Sequence, residues 1–282
     1  MKVGFIGAGK AGFSLGRYLR MHGTDVSGYY SKHDVSAKQA AEFTNTRAFD
    51  SLEQIVRHSD FLWITTPDDQ IAPVWEELRK LPLAKKCMGH CSGSLSSSVF
   101  AGRQEFDAYG VSIHPLAAFC EKEHSYGALA DAVFTIEGDP EVLPGLKAWL
   151  GEMGNRVQGI ETEKKSLYHC AAVTVSNHVT ALFESGLAML AACGFERGQA
   201  VQALLPLLHS NCENLTVQGL PNALTGPVER ADSGTILAHL AQLPQPDAAL
   251  YKNLSKRLLP IAKEKHPDRD YTALQTMMEG WK

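Results

Sequence analysis

Apolar residues follow two rhythms along this chain, and the change from one to the other falls near residue 158. Before it, short apolar runs alternate with stretches whose apolar positions recur at helical spacing. Val3 to Ile6, Asp25 to Tyr30, Asp60 to Pro67, Lys86 to His90, Val111 to Ile113 and Ala132 to Ile136 read as strands, and Arg156 to Gln158 as a last extended piece. The unbroken run Phe61-Leu62-Trp63-Ile64 is that of a strand buried on both faces. Helices are predicted over Ala37 to Phe43, Ser51 to Arg57 and Pro140 to Leu150. From Glu161 the pattern is helical to the end, punctuated by Gly194, Pro206, Gly219-Leu220-Pro221, Gly226-Pro227 and Pro260. The expected class is α/β, with a doubly wound N-terminal domain over residues 1–158 and an all-helical domain over 159–282.

The first strand runs into Gly7-Ala8-Gly9-Lys10-Ala11-Gly12, three glycines at G-x-G-x-x-G spacing. A helix follows at once, with Ala11, Leu15, Tyr18 and Leu19 on one face. Strand, glycines, helix and second strand come in order within about thirty residues, as the βαβ unit requires. A diphosphate can sit on such a helix start because its backbone N–H groups have no intrahelical partner. In this Rossmann arrangement Gly7 makes the turn, Gly9 admits the phosphates, and Gly12 lets helix and strand approach. An acid at the end of the second strand would select NAD, but the chain reads Tyr29-Tyr30-Ser31-Lys32-His33. Ser31 and Lys32 therefore point to the 2′-phosphate of NADP.

Composition narrows the function classes. A net charge of −4 gives no basic field for nucleic acid or anionic lipid. No apolar run spans a bilayer, and the first strand begins at residue 2, so a cytoplasmic protein is expected. The six cysteines form no C-x-x-C pair, which favours reduced thiols. Cys91, His114, Cys120 and His124 match no metal-ligand spacing, and no metal is expected.

Other candidate chemistry lies where strands end. Thr65, Thr66 and Pro67, with Asp68 and Asp69 opening a helix, should border the nicotinamide half of the cofactor. Cys91-Ser92-Gly93-Ser94 and the serines after it form either a pocket of free N–H groups for a carboxylate or a plain serine-rich cap. Glu161 to Ala192 reads as one long helix on which Lys165, His169, Ser176 and Thr180 share a stripe, with Asn177 on its shoulder. Such a stripe either faces solvent or lines a cleft against the first domain. In a cleft, Lys165 or His169 would deliver a proton and Asn177 would orient the polar group of the substrate.

These motifs, with His114-Pro115-Leu116, Lys165-Ser166-Leu167-Tyr168-His169 and Ala223-Leu224-Thr225-Gly226-Pro227, resemble one bacterial family throughout. It joins a Rossmann-like NADP-binding domain to a helical domain of unknown function, within the group of 6-phosphogluconate dehydrogenase and pyrroline-5-carboxylate reductase. The resemblance implies a reductase fold, a homodimer formed through the helical domains, and an active site between the domains. It implies a substrate carboxylate held at Ser92-Gly93, and on the cleft argument His114 lines the pocket beside Ser92. Arg230 is either an anion ligand or part of a hinge or dimer contact. The expected activity is NADP-dependent reduction of a C=O or C=N bond in a small, anionic metabolite. A nucleotide-binding sensor without turnover and a deazaflavin-dependent NADP reductase are the alternatives.

Overall fold

Neighbouring residues of each central strand belong to opposite cores. Val3, Phe5, Phe61 and Trp63 join one buried cluster, whereas Ile6, Leu62 and Ile64 join another. This is the two-residue period of a sheet covered on both faces. In the computed structural model, which describes residues 1–281, the sheet has eight strands in the order β3-β2-β1-β4-β5-β6-β7-β8. These are β1 (Lys2–Ile6), β2 (Asp25–Tyr30), β3 (Arg47–Ala48), β4 (Phe61–Ile64), β5 (Cys87–His90), β6 (Tyr109–Pro115), β7 (Val133–Gly138) and β8 (Arg156–Gly159). All neighbours pair in parallel except β6 with β7.

The covering helices are α1 (Lys10–Met21), α2 (Asp34–Thr44), α3 (Leu52–His58), α4 (Asp68–Leu78) and α5 (Leu143–Glu152). Strand order reverses direction between β1 and β4, so the crevice beyond the carboxyl ends of those two strands is the natural ligand position of such a sheet. Gly7 and Thr65 stand there, joined by a hydrogen bond from Thr65 Oγ1 to the Gly7 carbonyl at 2.9 Å.

The single helix expected from Glu161 to Ala192 is not formed. A 3-10 turn at Thr162–Lys164 precedes α6 (Lys165–Val175), and α7 (Asn177–Ala192) begins after a break at Ser176, whose φ and ψ are −118° and −76°. The cause is local. Val173, Thr174 and Val175 are β-branched, Thr174 Oγ1 donates to the Cys170 carbonyl at 2.8 Å, and Ser176-Asn177 favours a cap over a helix interior. Lys165 and His169 thus share α6, whereas Asn177 and Thr180 lie on α7.

The chain divides into compact units at Met1–Val175 and Ser176–Lys282, later than the boundary expected at residue 158. The strand pattern does end with β8, but α6 stays with the sheet. Thr162 Oγ1, just before α6, donates to the buried Glu137 of β7 at 2.9 Å, and Lys165 is buried.

In the second unit, α8 (Arg197–Gln218) and α9 (Leu220–Ala223) follow α7, and then α10 (Ser233–Gln242), α11 (Gln245–Lys265) and α12 (Thr272–Glu279). Ile236, Leu259, Ala262, Leu274 and Met278 of the last three helices form its buried core. Among the described residues, no helix is long and apolar enough to cross a membrane.

Candidate functional site

The three glycines of the loop meet three different surroundings. Gly7 adopts φ +107°, and a Cβ built on it would stand 2.8 Å from the Thr66 nitrogen, so only glycine suits this turn. A Cβ on Gly12 would lie 2.6 Å from the Gly7 carbonyl oxygen, so that glycine sets the approach of helix to strand. Gly9 is the opposite case, with nothing within 4 Å of its built Cβ. It caps α1, and no side chain occupies the cap. A helix start bare of side chains and open on its outer side suits the diphosphate of a dinucleotide.

Gly7, Ala8 and Gly9 line a cavity of about 600 Å³. Ser31 and Lys32 reach it from the end of β2, and Thr65, Thr66 and Pro67 from the end of β4. Lys10, Ala11 and Gly12 are not among its walls; Lys10 is exposed and Gly12 is buried under the turn. Lys32 forms no ion pair among the described residues.

Asp68, the residue after Pro67, links this wall to a polar cluster beyond β5 and β6. Its carboxylate accepts Ser92 Oγ at 2.7 Å and Ser94 Oγ at 3.1 Å. The serine loop is not the pocket of free N–H groups that its composition allows. Ser92 N–H donates to His90 Nδ1, the Ser94 and Leu95 amides both donate to Ser92 Oγ, and Ser97 N–H donates to Glu137. Short hydroxyl side chains have satisfied their own backbone. Ser92 acts here as the pin of the loop.

Burial keeps two of the imidazoles around this loop, His90 and His114, neutral. His90 is fully buried and accepts a backbone proton at Nδ1, and its Nε2 donates to the Ser96 carbonyl at 3.2 Å, which fixes the tautomer. Burial pushes its pKa down to about 4. His114 is pushed down to about 3, by burial first and then by Lys165 and His169. His114 Nδ1 pairs with the Tyr168 hydroxyl at 2.7 Å, leaving Nε2 toward Gly93.

From α6, Lys165 enters the first unit with 1% of its surface exposed, and its Nζ has no hydrogen-bond partner. It stands 5.4 Å from the centre of the Tyr168 ring. Burial lowers its pKa to about 8, against the opposing pull of Glu137, Cys91 and Asp68. One turn on, His169 Nδ1 is also buried without a partner. A Cβ on Gly93 would lie 2.3 Å from that nitrogen and 3.0 Å from His114 Nε2, so the absent side chain is what lets both rings converge. Glu137 is 1% exposed and holds the ends of two segments, taking Ser97 Oγ at 2.7 Å and Thr162 Oγ1 at 2.9 Å.

The first unit thus gathers Ser92, Gly93, His114, Lys165 and His169. His90, Glu137 and Tyr168 belong to the same cluster and are not among the expected site residues: His90 ends the predicted strand from Lys86, Tyr168 sits inside the Lys165-to-His169 motif, and Glu137 carries no local signal. Asn177 lies in the second unit, exposed, its Oδ1 accepting Ser176 Oγ at 3.1 Å. Arg230 is exposed in the turn after Gly226-Pro227, where its N–H donates to the Gly226 carbonyl at 3.1 Å. Among the described residues no group of three or more His, Cys, Asp or Glu is placed to hold a metal ion.

Residues 1–115 match the family described as a Rossmann-like domain, and residues 132–258 the family described as Domain of unknown function (DUF2520). The second match starts at β7 and therefore includes α6. No curated protein matches the chain in sequence. A Thermotoga maritima protein of solved structure is 26% identical, with a TM-score of 0.76 over 93% of this chain and 99% of that one. A Bacteroides fragilis protein, provisionally named an NADP oxidoreductase, is 22% identical, with a TM-score of 0.68 over 92% and 98%. The pyrroline carboxylate reductase of Plasmodium falciparum, solved with NADP bound, is 15% identical, with a TM-score of 0.59 over 94% and 98%. At these identities the likeness establishes the architecture.

Proposed function

Taking the chain as a Rossmann-like domain joined to a DUF2520 domain, we propose that it is an NADP-dependent oxidoreductase acting on a C=O or C=N bond of a small, anionic metabolite. The observation that carries this reading is the buried ammonium of Lys165, which has no hydrogen-bond partner and has the Tyr168 ring nearby. A buried cation without a hydrogen-bond acceptor is costly, and proteins keep such groups where a ligand completes them.

Gly7, Ala8 and Gly9 hold the diphosphate, Ser31 and Lys32 the 2′-phosphate, and Thr65, Thr66 and Pro67 the nicotinamide side. Bound there, the reduced dinucleotide supplies two electrons and a hydrogen to carbon. Lys165 supplies the proton to oxygen or nitrogen, since a pKa near 8 keeps it mostly charged at neutral pH and still able to release its proton. His114, neutral and fixed by Tyr168, offers Nε2 as a hydrogen-bond partner, and His169 stands beside it. Asn177 and Arg230 enter only as expectations from the sequence.

Two measurements test the reading. NADPH should raise the melting temperature more than NADH does; the reverse order would remove Ser31 and Lys32 from their role. Absorbance at 340 nm should then fall with some member of a panel of 2-oxo acids and cyclic imines. Stabilisation by NADPH with no turnover across the panel would favour a nucleotide sensor.

We further propose that the chain forms a homodimer through α7 and α8. Along the 22 residues of α8 only Ala200 is buried, and Leu205, Leu207 and Val217 are 53%, 68% and 82% exposed. An apolar surface of that kind is a protein contact more often than a solvated face. Light scattering should give twice the chain mass, and Leu207→Glu with Val217→Glu should give the single mass.

A further inference from the structure

The segment between β6 and β7 is anchored at its far end. Its 3-10 turn, Ser125–Leu129, buries Leu129 completely, and Asn155 Nδ2 donates to the Leu129 carbonyl at 2.8 Å. Tyr126 meets Phe43 of α2 at 6.2 Å between ring centres, and Phe43 meets Phe13 of α1 at 5.7 Å. Earlier in the segment, Lys122 sets its ammonium 5.0 Å from the centre of the Phe13 ring. That contact brings Lys122 to the wall of the glycine-loop cavity, which Lys32 and His33 also line.

The charges of that wall are unequal. Glu77 is the one carboxylate among its lining residues, and Lys80 takes it at 2.8 Å. Lys32 and Lys122 form no ion pair among the described residues; of the acids flanking Lys122, Glu121 lies 3.2 Å from His124, and Glu123 lines the smaller hollow outside this cavity. Two free ammonium groups therefore face one cavity. Lys122 also lines a smaller hollow with Gln39, Glu42 and Phe43, which puts it on the α2 flank of the cavity, the side on which the end of β2 reads the ribose 2′ position.

We propose that Lys122 is a second ligand of the 2′-phosphate, closing on it opposite Lys32. The proposal rests on the dinucleotide reading given above. Phe13 holds the ammonium in place before the nucleotide arrives, as a cation over an aromatic face does. Lys122 then sets the choice between NADP and NAD together with Ser31 and Lys32.

Calorimetric titration of the full chain with 2′,5′-ADP and with 5′-ADP tests it. Lys122→Ala should weaken 2′,5′-ADP about tenfold, the loss of one charge-assisted contact, with a shallower salt dependence. Its effect on 5′-ADP should stay below about twofold, and Lys122→Arg should restore most of the binding. Unchanged 2′,5′-ADP affinity in the alanine variant overturns the proposal. Equal loss of both probes also overturns it, since Lys122 would then be meeting the diphosphate. If the wild-type chain binds neither probe, the dinucleotide reading fails and this proposal with it. Lys122 is exposed, so a melting temperature within about 2 °C of wild type is expected.

Discussion

Gly9→Asp should abolish NADPH binding while making the free protein slightly more stable. Gly9 is the N-cap of α1 with φ −83° and ψ −170°, an extended geometry that any residue adopts, and its Cβ direction is empty. An aspartate there reaches the unpaired N–H groups of the first turn and complements the helix dipole, together worth roughly 1 kcal/mol. For a unit of this size that is a rise in melting temperature of about 2–4 °C. The same carboxylate occupies the seat of the diphosphate with the same sign of charge. NADPH at a hundred times its wild-type Kd stabilises the wild-type protein by about 2.7 kcal/mol and should leave the variant unmoved. Gly12→Ala provides the contrast, since its Cβ would meet the Gly7 carbonyl oxygen at 2.6 Å. That variant should lose stability and binding together. A Gly9→Asp protein that still binds NADPH like wild type would end the diphosphate assignment.

Lys165→Met should lower kcat/KM at least about 100-fold, the usual contribution of a positioned acid, and raise stability at neutral pH. The pKa of Lys165 falls from 10.5 to about 8 on folding, which makes its charge on the order of 3 kcal/mol unfavourable to the folded state. Below pH 8 both folded and unfolded chains carry the proton, and the penalty is complete. Between pH 8 and 10.5 the unfolded chain binds more protons, so the wild type gains stability as pH rises. Methionine fills the same space without charge. Denaturant unfolding should therefore show the variant ahead by about 3 kcal/mol at pH 7, with the gap closing toward pH 10.5. A gap that stays constant with pH would mean that Lys165 is paired in solution, and its role as proton donor would lose its physical basis.

What the sequence makes legible is what neighbouring residues decide. The glycine turn, α1 and β2 follow one another within one unit, and spacing alone carries them. The run Phe61 to Ile64 is unmistakable because both faces of β4 are buried. β3 has two residues and presents no pattern long enough to read. The break at Ser176 was present as a β-branched triplet before Ser-Asn, but the apolar character of Glu161 to Ala192 outweighs it in any periodic count. The serine loop was ambiguous because a serine hydroxyl can serve a ligand or its own backbone, and only the fold shows Ser92 serving Ser94 and Leu95. The pairing of His114 with Tyr168 spans 54 positions, and Gly93 and His169 lie further apart still along the chain. Nothing local links such residues. Glycine at position 93 marks a meeting of two rings that no spacing rule foretells.

The interruption at Ser176 also separates two kinds of tolerance to length change. One residue inserted between Thr162 and Lys165 would rotate the lysine about 100° around its helix and carry the ammonium out of its enclosure. An insertion just after Ser176 leaves that orientation alone, because helical phase is not transmitted across a kinked peptide. Loop-length variation among relatives of this protein should therefore gather after position 176 and avoid the short span from Glu137's partner Thr162 to His169.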